Sequence, residues 1–298
     1  MLERLPVNDG RAEPLPVALE ETSVEPSLAR VLLDLGGHDV SRYDEAFLRS
    51  VMAKRQADTG LLSDETYIAR LAADDAERQT FFAELRITFS EFFRNPLTFA
   101  LLEQQILPVL ADTHSGDGSR ELRVWSAGCA AGQEPYSVAI LLEELALARG
   151  RPLPYRIFAT DLSTLELDAA RRGVYALRAV QNVRMKHLER YFTAHDEEYR
   201  IAPRLASRVH YSVYDLLDEQ RPSPPAGLFG DFHVILCCNV LFYFRSAMRH
   251  RILDRLCASL APGGYLITGE AERDSVASHA GLSAVAAPCA VFQYRSAP

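Results

Sequence analysis

The chain has 298 residues, 48% of them hydrophobic and 24% charged, with a net charge of −8 and only two lysines, Lys54 and Lys186. That is globular composition for one large domain or two smaller ones, and its acidic balance argues against a nucleic-acid enzyme, which needs a basic face or tail. No apolar run approaches the ~20 residues that span a bilayer, and residues 1–28 lack the basic start and apolar core of a signal peptide, so a cytoplasmic protein without membrane insertion is expected.

Residues 1–28, acidic and proline-containing without periodicity, read as a disordered leader. Residues 29–89 read as a small all-helical domain. There a helix over Tyr43–Gln56 sets Phe47, Leu48, Val51 and Met52 on one face, with Arg49, Lys54 and Arg55 elsewhere. Ser63-Asp64-Glu65-Thr66 forms a cap region for a helix through Leu71, and another helix covers about Ala76–Leu85. Residues 90–111 are a linker, helical after Asn95-Pro96 to about Leu110, and Asp112–Ser119 is a polar loop.

Strand–helix alternation fills residues 112–298 and predicts a mostly parallel sheet covered on both faces. Val124 and Trp125 end a buried strand. Arg156–Ala159 is a strand ending at Thr160-Asp161, and Phe232–Cys237 is a continuously apolar, buried-type strand. Arg249–Leu260 is a helix, Pro262-Gly263-Gly264 a tight turn into the strand Tyr265–Thr268, and Leu282–Ala287 with Ala290–Tyr294 an antiparallel edge hairpin. An insert at about 173–213 carries a helix, Met185–Phe192, and short strands at Tyr199–Ile201 and Val209–Val213. The five cysteines lie in apolar contexts without C-x-x-C spacing, and the eight histidines show no ligand spacing, so no disulfide framework and no metal is assigned.

Chemistry concentrates in Leu122–Ser137, LRVWSAGCAAGQEPYS. A turn of small residues around Gly128 leaves the main chain open to a nucleoside ligand at a strand-to-helix junction. Glu134 in the first helical turn would repel a pyrophosphate and hold a cationic, amino-bearing cofactor, which points to S-adenosylmethionine (AdoMet); the helix dipole alone also favours an acid there. Asp161 ends a strand at the ligand-facing edge, where it either accepts both ribose hydroxyls or caps the helix from Leu165. Asn239 ends another strand, in contact with ligand or in a plain turn, and Tyr243 follows as core or catalytic aromatic. Arg94, in Ser90-Glu91-Phe92-Phe93-Arg94, is either a structural ion-pair partner or a holder of a carboxylate by bidentate hydrogen bonds. A G-x-G-x-x-G fingerprint is absent, which weighs against a nicotinamide oxidoreductase.

Five segments in order, SEFFRNP (Ser90–Pro96), VWSAGCAAGQEPYS (Val124–Ser137), FATD (Phe158–Asp161), CNVLFYF (Cys238–Phe244) and LAPGGYLITGEAE (Leu260–Glu272), resemble the CheR-type chemotaxis receptor methyltransferases over about residues 30–295. The resemblance implies an α/β fold: a small all-helical N-terminal domain, then a Rossmann-like AdoMet-dependent methyltransferase domain with a small inserted antiparallel β subdomain. It implies methylation of glutamate side chains on the cytoplasmic helices of chemoreceptors, with S-adenosyl-L-homocysteine as the spent cofactor, by a protein expected to be a monomer. It further implies that Thr88, Ser90 and Arg94 line the cofactor site from the linker side, and that Glu134 binds the methionine portion and Asp161 the ribose. Asp215-Leu216 and Asn239-Val240 would flank the adenine and the sulfonium, with Arg94 and Tyr243 orienting the incoming carboxylate. Arg49, Lys54 and Arg55 are the basic face offered to an acidic receptor helix, against a plain solvated face. Departures are Thr88 for asparagine, Asp215 for the first residue of Asn-Leu-Leu, and Cys238 for arginine. The loop Thr193–Glu198 is short and lacks glycine, which weighs against tethering of a receptor's C-terminal pentapeptide. The alternative function is a CheR-like AdoMet-binding regulatory module without transfer activity.

Overall fold

The computed structural model describes residues 28–36, 40–85, 90–115, 121–221, 223–224 and 231–295. The leader assigned to residues 1–28 lies outside them except for Leu28, which starts the first helix, and Thr88 also lies outside. Among the described residues four helices come first: α1 (Leu28–Gly36), α2 (Glu45–Thr59), α3 (Asp64–Ala73) and α4 (Asp75–Glu84). Each of the last three opens on a side-chain cap. Asp44 accepts from the Ala46 and Phe47 amides, Ser63 from Thr66, and Asp74 from Ala76 and Glu77, which satisfies donors the helix itself leaves free. Leu32, Leu48, Met52, Tyr67, Leu71 and Phe81 form a core of their own between these helices.

The linker helix starts at Pro96, where a missing amide proton costs nothing, and runs as α5 (Pro96–Leu101), a π-helical stretch at Leu102–Ile106 and α6 (Leu107–Ser115). The first part of the expected polar loop, Asp112–Ser115, is therefore the last turn of this helix. The α/β body follows as β1 (Leu122–Ala127), α7 (Gln133–Ala148), β2 (Tyr155–Asp161) and α8 (Thr164–Arg172). The inserted unit contains β3 (Val174–Ala176), α9 (Met185–Tyr191), β4 (Phe192–His195), β5 (Glu198–Ile201) and α10 (Pro203–Ala206). The chain returns through β6 (Val209–Val213) to β7 (Phe232–Cys237), α11 (Ser246–Ser259), β8 (Leu260–Thr268), α12 (Arg273–Ala277), β9 (Leu282–Ala284) and β10 (Val291–Tyr294).

The main sheet has the order β6-β2-β1-β7-β8-β10-β9. Its first five strands are parallel, and β10 and β9 join antiparallel. Trp125 lies beside Phe158 on one neighbour and Ile235 on the other, and all three are buried. Strand order reverses between β1 and β7, and the carboxyl edge at such a switch point is where open α/β sheets bind ligands. One face of the sheet is covered by the linker helix, α7 and the inserted unit, the other by α11.

Three expectations need correction. Val209–Val213, placed in the insert, is the outer strand of the main sheet, paired in parallel with β2 from Ile157↔Val209 to Asp161↔Val213; the insert ends before it. The insert's own sheet is β3-β5-β4, antiparallel, and Thr193–Glu198 is not a loop but a tight hairpin turning at Asp196-Glu197, with Asp196 at φ +52°. Pro262-Gly263-Gly264 is a bulge within β8: Phe232 pairs with Leu260 and Val234 with Tyr265, the extra residues being thrown out where Gly263 has φ +76°.

A candidate cofactor and acceptor cleft

A cleft of about 1160 Å³, its open mouth included, lies at the carboxyl edge of β1, β2 and β7. It brings together Ser90, Arg94, Gly128, Glu134, Asp161, Asp215, Leu216, Asn239, Val240 and Tyr243, every described residue that the sequence nominated for the cofactor and the acceptor carboxylate.

The turn from β1 into α7 is bare for two reasons. Gly128 (φ +77°) and Gly132 (φ +89°) take backbone angles that side chains oppose, and both are also crowded. A Cβ on Gly128 would come within 2.6 Å of Val240 Cγ2, and one on Gly132 within 2.7 Å of Tyr211 Oη. Gly128 thus lets the loops after β1 and β7 close on each other at the cleft floor, whereas Gly132 serves packing against β6.

Glu134 sits deep in this floor with part of its surface open to the cleft. Ser126 Oγ donates to it at 2.7 Å. Burial pushes its carboxyl up to about 7; the Ser126 and Cys238 hydrogen bonds oppose that rise, Glu272 adds to it, and the Arg94 charge counters it. A buried acid in this state is stabilised by any cation that enters the cleft.

Asp161 does not cap α8. Ser163 does, accepting from the Glu166 amide, while Asp161 accepts from Ala130 N at 2.9 Å and Ser163 N at 2.8 Å. Two amides fix the carboxylate at the cleft wall. Asp215 is held by Arg42 at 2.7 Å and by the Leu217 amide at 2.9 Å, so the helical domain reaches the cleft through this pair.

Arg94 follows Phe93, whose φ of +53° turns the chain sharply and whose amide donates to Ser137 Oγ at 3.0 Å. Across the cleft, Asn239 has φ +60° and a buried Oδ1 without a hydrogen-bond partner among the described residues. Tyr243 sits in a 3₁₀ turn, its ring 4.8 Å from that of Phe47 and its carbonyl accepting from Asp44 N at 2.8 Å. Burial raises its phenol, and Arg94 opposes the rise.

Sequence reasoning missed Glu272. It is 1% exposed, and its carboxylate accepts from the amides of Gly269 (2.7 Å), Asn239 (3.0 Å), Leu241 (2.6 Å) and Phe242 (3.4 Å). It therefore fixes the whole loop that carries Asn239, Val240 and Tyr243. The only signal was an acid at the end of an apolar strand motif, which alone says nothing of the three distant amides of Asn239, Leu241 and Phe242. Arg55 corrects a second expectation. It is not exposed to a partner but pairs with Glu77 at 2.7 Å, Asp58 and Glu84, while Lys54 pairs with Glu84 and Arg49 with Glu45 and Asp64.

Among the described residues no helix is long and apolar enough to cross a membrane. Comparison with known proteins matches residues 88–285 to the family model "CheR methyltransferase, SAM binding domain". The chain is 34% identical over 231 residues to the chemotaxis protein methyltransferase of Salmonella typhimurium, covering 75% of this chain and 74% of that protein. It is 32% identical over 208 residues to a 104.1 kDa protein of Rhodobacter capsulatus, covering 70% of this chain and 21% of that protein. Among solved structures it is similar to magnesium protoporphyrin IX methyltransferase of Synechocystis PCC 6803 with bound SAM, at 17% identity and a TM-score of 0.35, covering 79% of this chain and 98% of that one. The cofactor is AdoMet, and the chain belongs to the CheR methyltransferase family.

Proposed function

We propose that the protein transfers the methyl group of AdoMet to glutamate side chains of chemoreceptor cytoplasmic helices, giving glutamyl methyl esters. The observation that carries this reading is the placement of Arg94 and Tyr243 in one cleft with Glu134 and Asp161. Support for the substrate comes from relatives such as that of Salmonella typhimurium, which are named chemotaxis protein methyltransferases.

In this reading Glu134 meets the amino group of the methionine portion, and Asp161, fixed by two amides, accepts from the ribose hydroxyls. Gly128 allows close approach of the main chain. Asp215-Leu216 and Asn239-Val240 flank the adenine and the sulfonium, with Asn239 Oδ1 an acceptor awaiting a donor. Ser90 completes the linker side. The cofactor supplies a methyl already activated by its sulfonium. A glutamate acceptor is ionised at neutral pH, its ordinary pKa being about 4.3, so the protein needs no general base. Its task is placement, and holding two reactants in line supplies roughly 7–11 kcal/mol. Arg94 and Tyr243 orient the acceptor carboxylate. Charge is neutralised during transfer, so a tight ion pair with Arg94 would stabilise the starting state and slow the reaction; the contact is an orienting one.

The test is incubation with methyl-labelled AdoMet and receptor-containing membranes, followed by alkali. Label released as methanol establishes the ester. Alkali-stable label moves the acceptor to nitrogen or carbon, and absence of label from protein that binds AdoMet leaves a regulatory module.

A further inference from the structure

The acids of the cleft follow the order of the strands. Glu134 stands in the first turn of α7 after β1, and Asp161 ends β2. Asp215 comes two residues after β6, the strand outside β2, and Tyr214 N donates to the Asp161 carbonyl at 3.1 Å. A ligand laid along this edge with its amino group at Glu134 and its ribose at Asp161 carries its base toward Asp215. Tyr214 and Leu216, the sequence neighbours of Asp215, are buried and line the cleft with it.

A neutral base brings no charge for Asp215 to meet, so the counter-charge has to come from the protein. Arg42 supplies it. Its Nη1 donates to Asp215 Oδ2 at 2.7 Å, the Leu217 amide donates to Oδ1 at 2.9 Å, and the two charged side chains are 26% and 27% exposed. A carboxylate donates nothing and accepts about four hydrogen bonds, so these two leave lone pairs for a further donor. Among the described residues that line the cleft Asp215 is present and Arg42 is not, so Arg42 acts on a ligand through Asp215.

An ion pair between a helical domain and a sheet is ordinarily a fastener. Here the adjoining main chain already fastens the two. The Arg42 carbonyl accepts from Arg245 N at 3.0 Å, and Asp44 N donates to the Tyr243 carbonyl at 2.8 Å. Between them Tyr43 forms an antiparallel bridge with Phe244 and stacks on its ring. These contacts need no charge at position 42. What the Arg42 side chain adds is the orientation of Asp215, by a charge-assisted hydrogen bond.

We propose that Arg42 is a positioning residue for cofactor recognition, which neutralises and turns Asp215 so that its carboxylate accepts from the 6-amino group of the adenine. The proposal rests on the reading above in which Asp215 flanks the adenine. It adds that a residue of the helical domain sets which base the cleft takes, a purine with an amino donor being preferred to one without.

The test measures, by calorimetry on the cofactor-free full chain, the affinities of S-adenosyl-L-homocysteine and of its 6-deamino analogue. Neither ligand carries a sulfonium, so removing the Arg42 charge does not act through attraction to that cation. Wild type should prefer the amino ligand about tenfold, the lower range for a hydrogen bond to a charged group. Arg42→Ala should reduce the preference to about twofold, with affinity for the 6-deamino ligand nearly unchanged. Arg42→Met, which keeps the apolar stem, should do the same. In Asp215→Asn the amide oxygen accepts without a counter-charge, so the preference should be about threefold, that of a neutral hydrogen bond, with or without Arg42. Melting temperatures of the ligand-free variants are read alongside. A mere fastener would lower the melting temperature of Arg42→Ala and leave the tenfold preference in place, which overturns the proposal. Equal losses for both ligands, or an Arg42→Ala effect of the same size in Asp215→Asn, overturn it as well. Wild type with no preference between the ligands overturns it together with the placement of the adenine at Asp215, and leaves AdoMet binding and methyl transfer standing.

Discussion

Glu134→Gln separates the two roles of a buried acid. Raising the carboxyl from 4.5 to about 7 means that ionising it in the cofactor-free protein costs about 3 kcal/mol, at ~1.4 kcal/mol per tenfold. The folded-state value lies above the unfolded one, so the acid costs nothing below about pH 4.5. Stability then falls as pH rises through about 7 and is lower by the full amount above that. Cofactor-free Glu134→Gln should accordingly melt higher than wild type at about pH 8 and no higher at about pH 4.5. Cofactor binding should respond in the opposite sense. An α-amino group stays protonated to about pH 8, and Glu134 must shed its proton to meet it. Wild-type affinity should weaken about fivefold between pH 7 and pH 6, with proton release on binding rising from about half a proton at pH 7 to nearly one at pH 6. Glu134→Gln should bind about 10- to 100-fold more weakly at neutral pH, the loss of a hydrogen bond to a charged group, and show no such slope. Calorimetry in two buffers of different ionisation enthalpy reads affinity and proton release together. Unchanged affinity in the variant, with a flat wild-type profile, would show that Glu134 does not meet the amino group.

Arg94→Ala should lower kcat about 100-fold, the scale of lost positioning, while AdoMet affinity changes little; equal losses in both would make Arg94 a cofactor residue. Gly128→Ala places a methyl 2.6 Å from Val240 Cγ2 at φ +77°, so overlap adds about 1–3 kcal/mol to a backbone cost of about 1–2 kcal/mol. Adding Val240→Ala should recover the overlap but not the backbone part in chemical denaturation, and full recovery would contradict the assigned conformation. Glu272→Ala leaves four amides without their acceptor and should cost about 3 kcal/mol or more, with amide exchange at Leu241 accelerating beyond the global change. Protection at Leu241 equal to wild type would refute the clamp.

The sheet was legible where strands are apolar or followed by helices of clear period, as with Phe232–Cys237 and α7. It was not legible at Val209–Val213, because sequence proximity to the insert hid a partner, β2, some fifty residues earlier. Strands of three or four residues such as β3 and β4 carry too few positions to show alternation. Arg55 misled for a related reason. Its nearest carboxylate in sequence, Asp58, explains a surface pair, but the bidentate partner Glu77 comes from α4, and only packing of α2 on α4 takes the arginine out of solvent.

Side chains that face the cleft were readable because strand ends and bare turns mark the edge of an α/β sheet, and the motifs lie there. What keeps those side chains in register was not. Two supports from remote segments converge on the loop after β7. Glu272 holds its amides from within the sheet domain. From the helical domain, Asp44 N meets the Tyr243 carbonyl, Phe47 packs on the Tyr243 ring, and Tyr43 stacks on Phe244 at 5.8 Å. Asp44 is also the cap of α2. One residue thus starts the helix and anchors the loop opposite Arg94, so the helical domain forms part of the wall of the cleft. If it held only substrate, Phe47→Ala would raise KM alone. Because it backs Tyr243, the variant should lower kcat with AdoMet affinity intact, and a pure KM effect would remove the helical domain from the acceptor site.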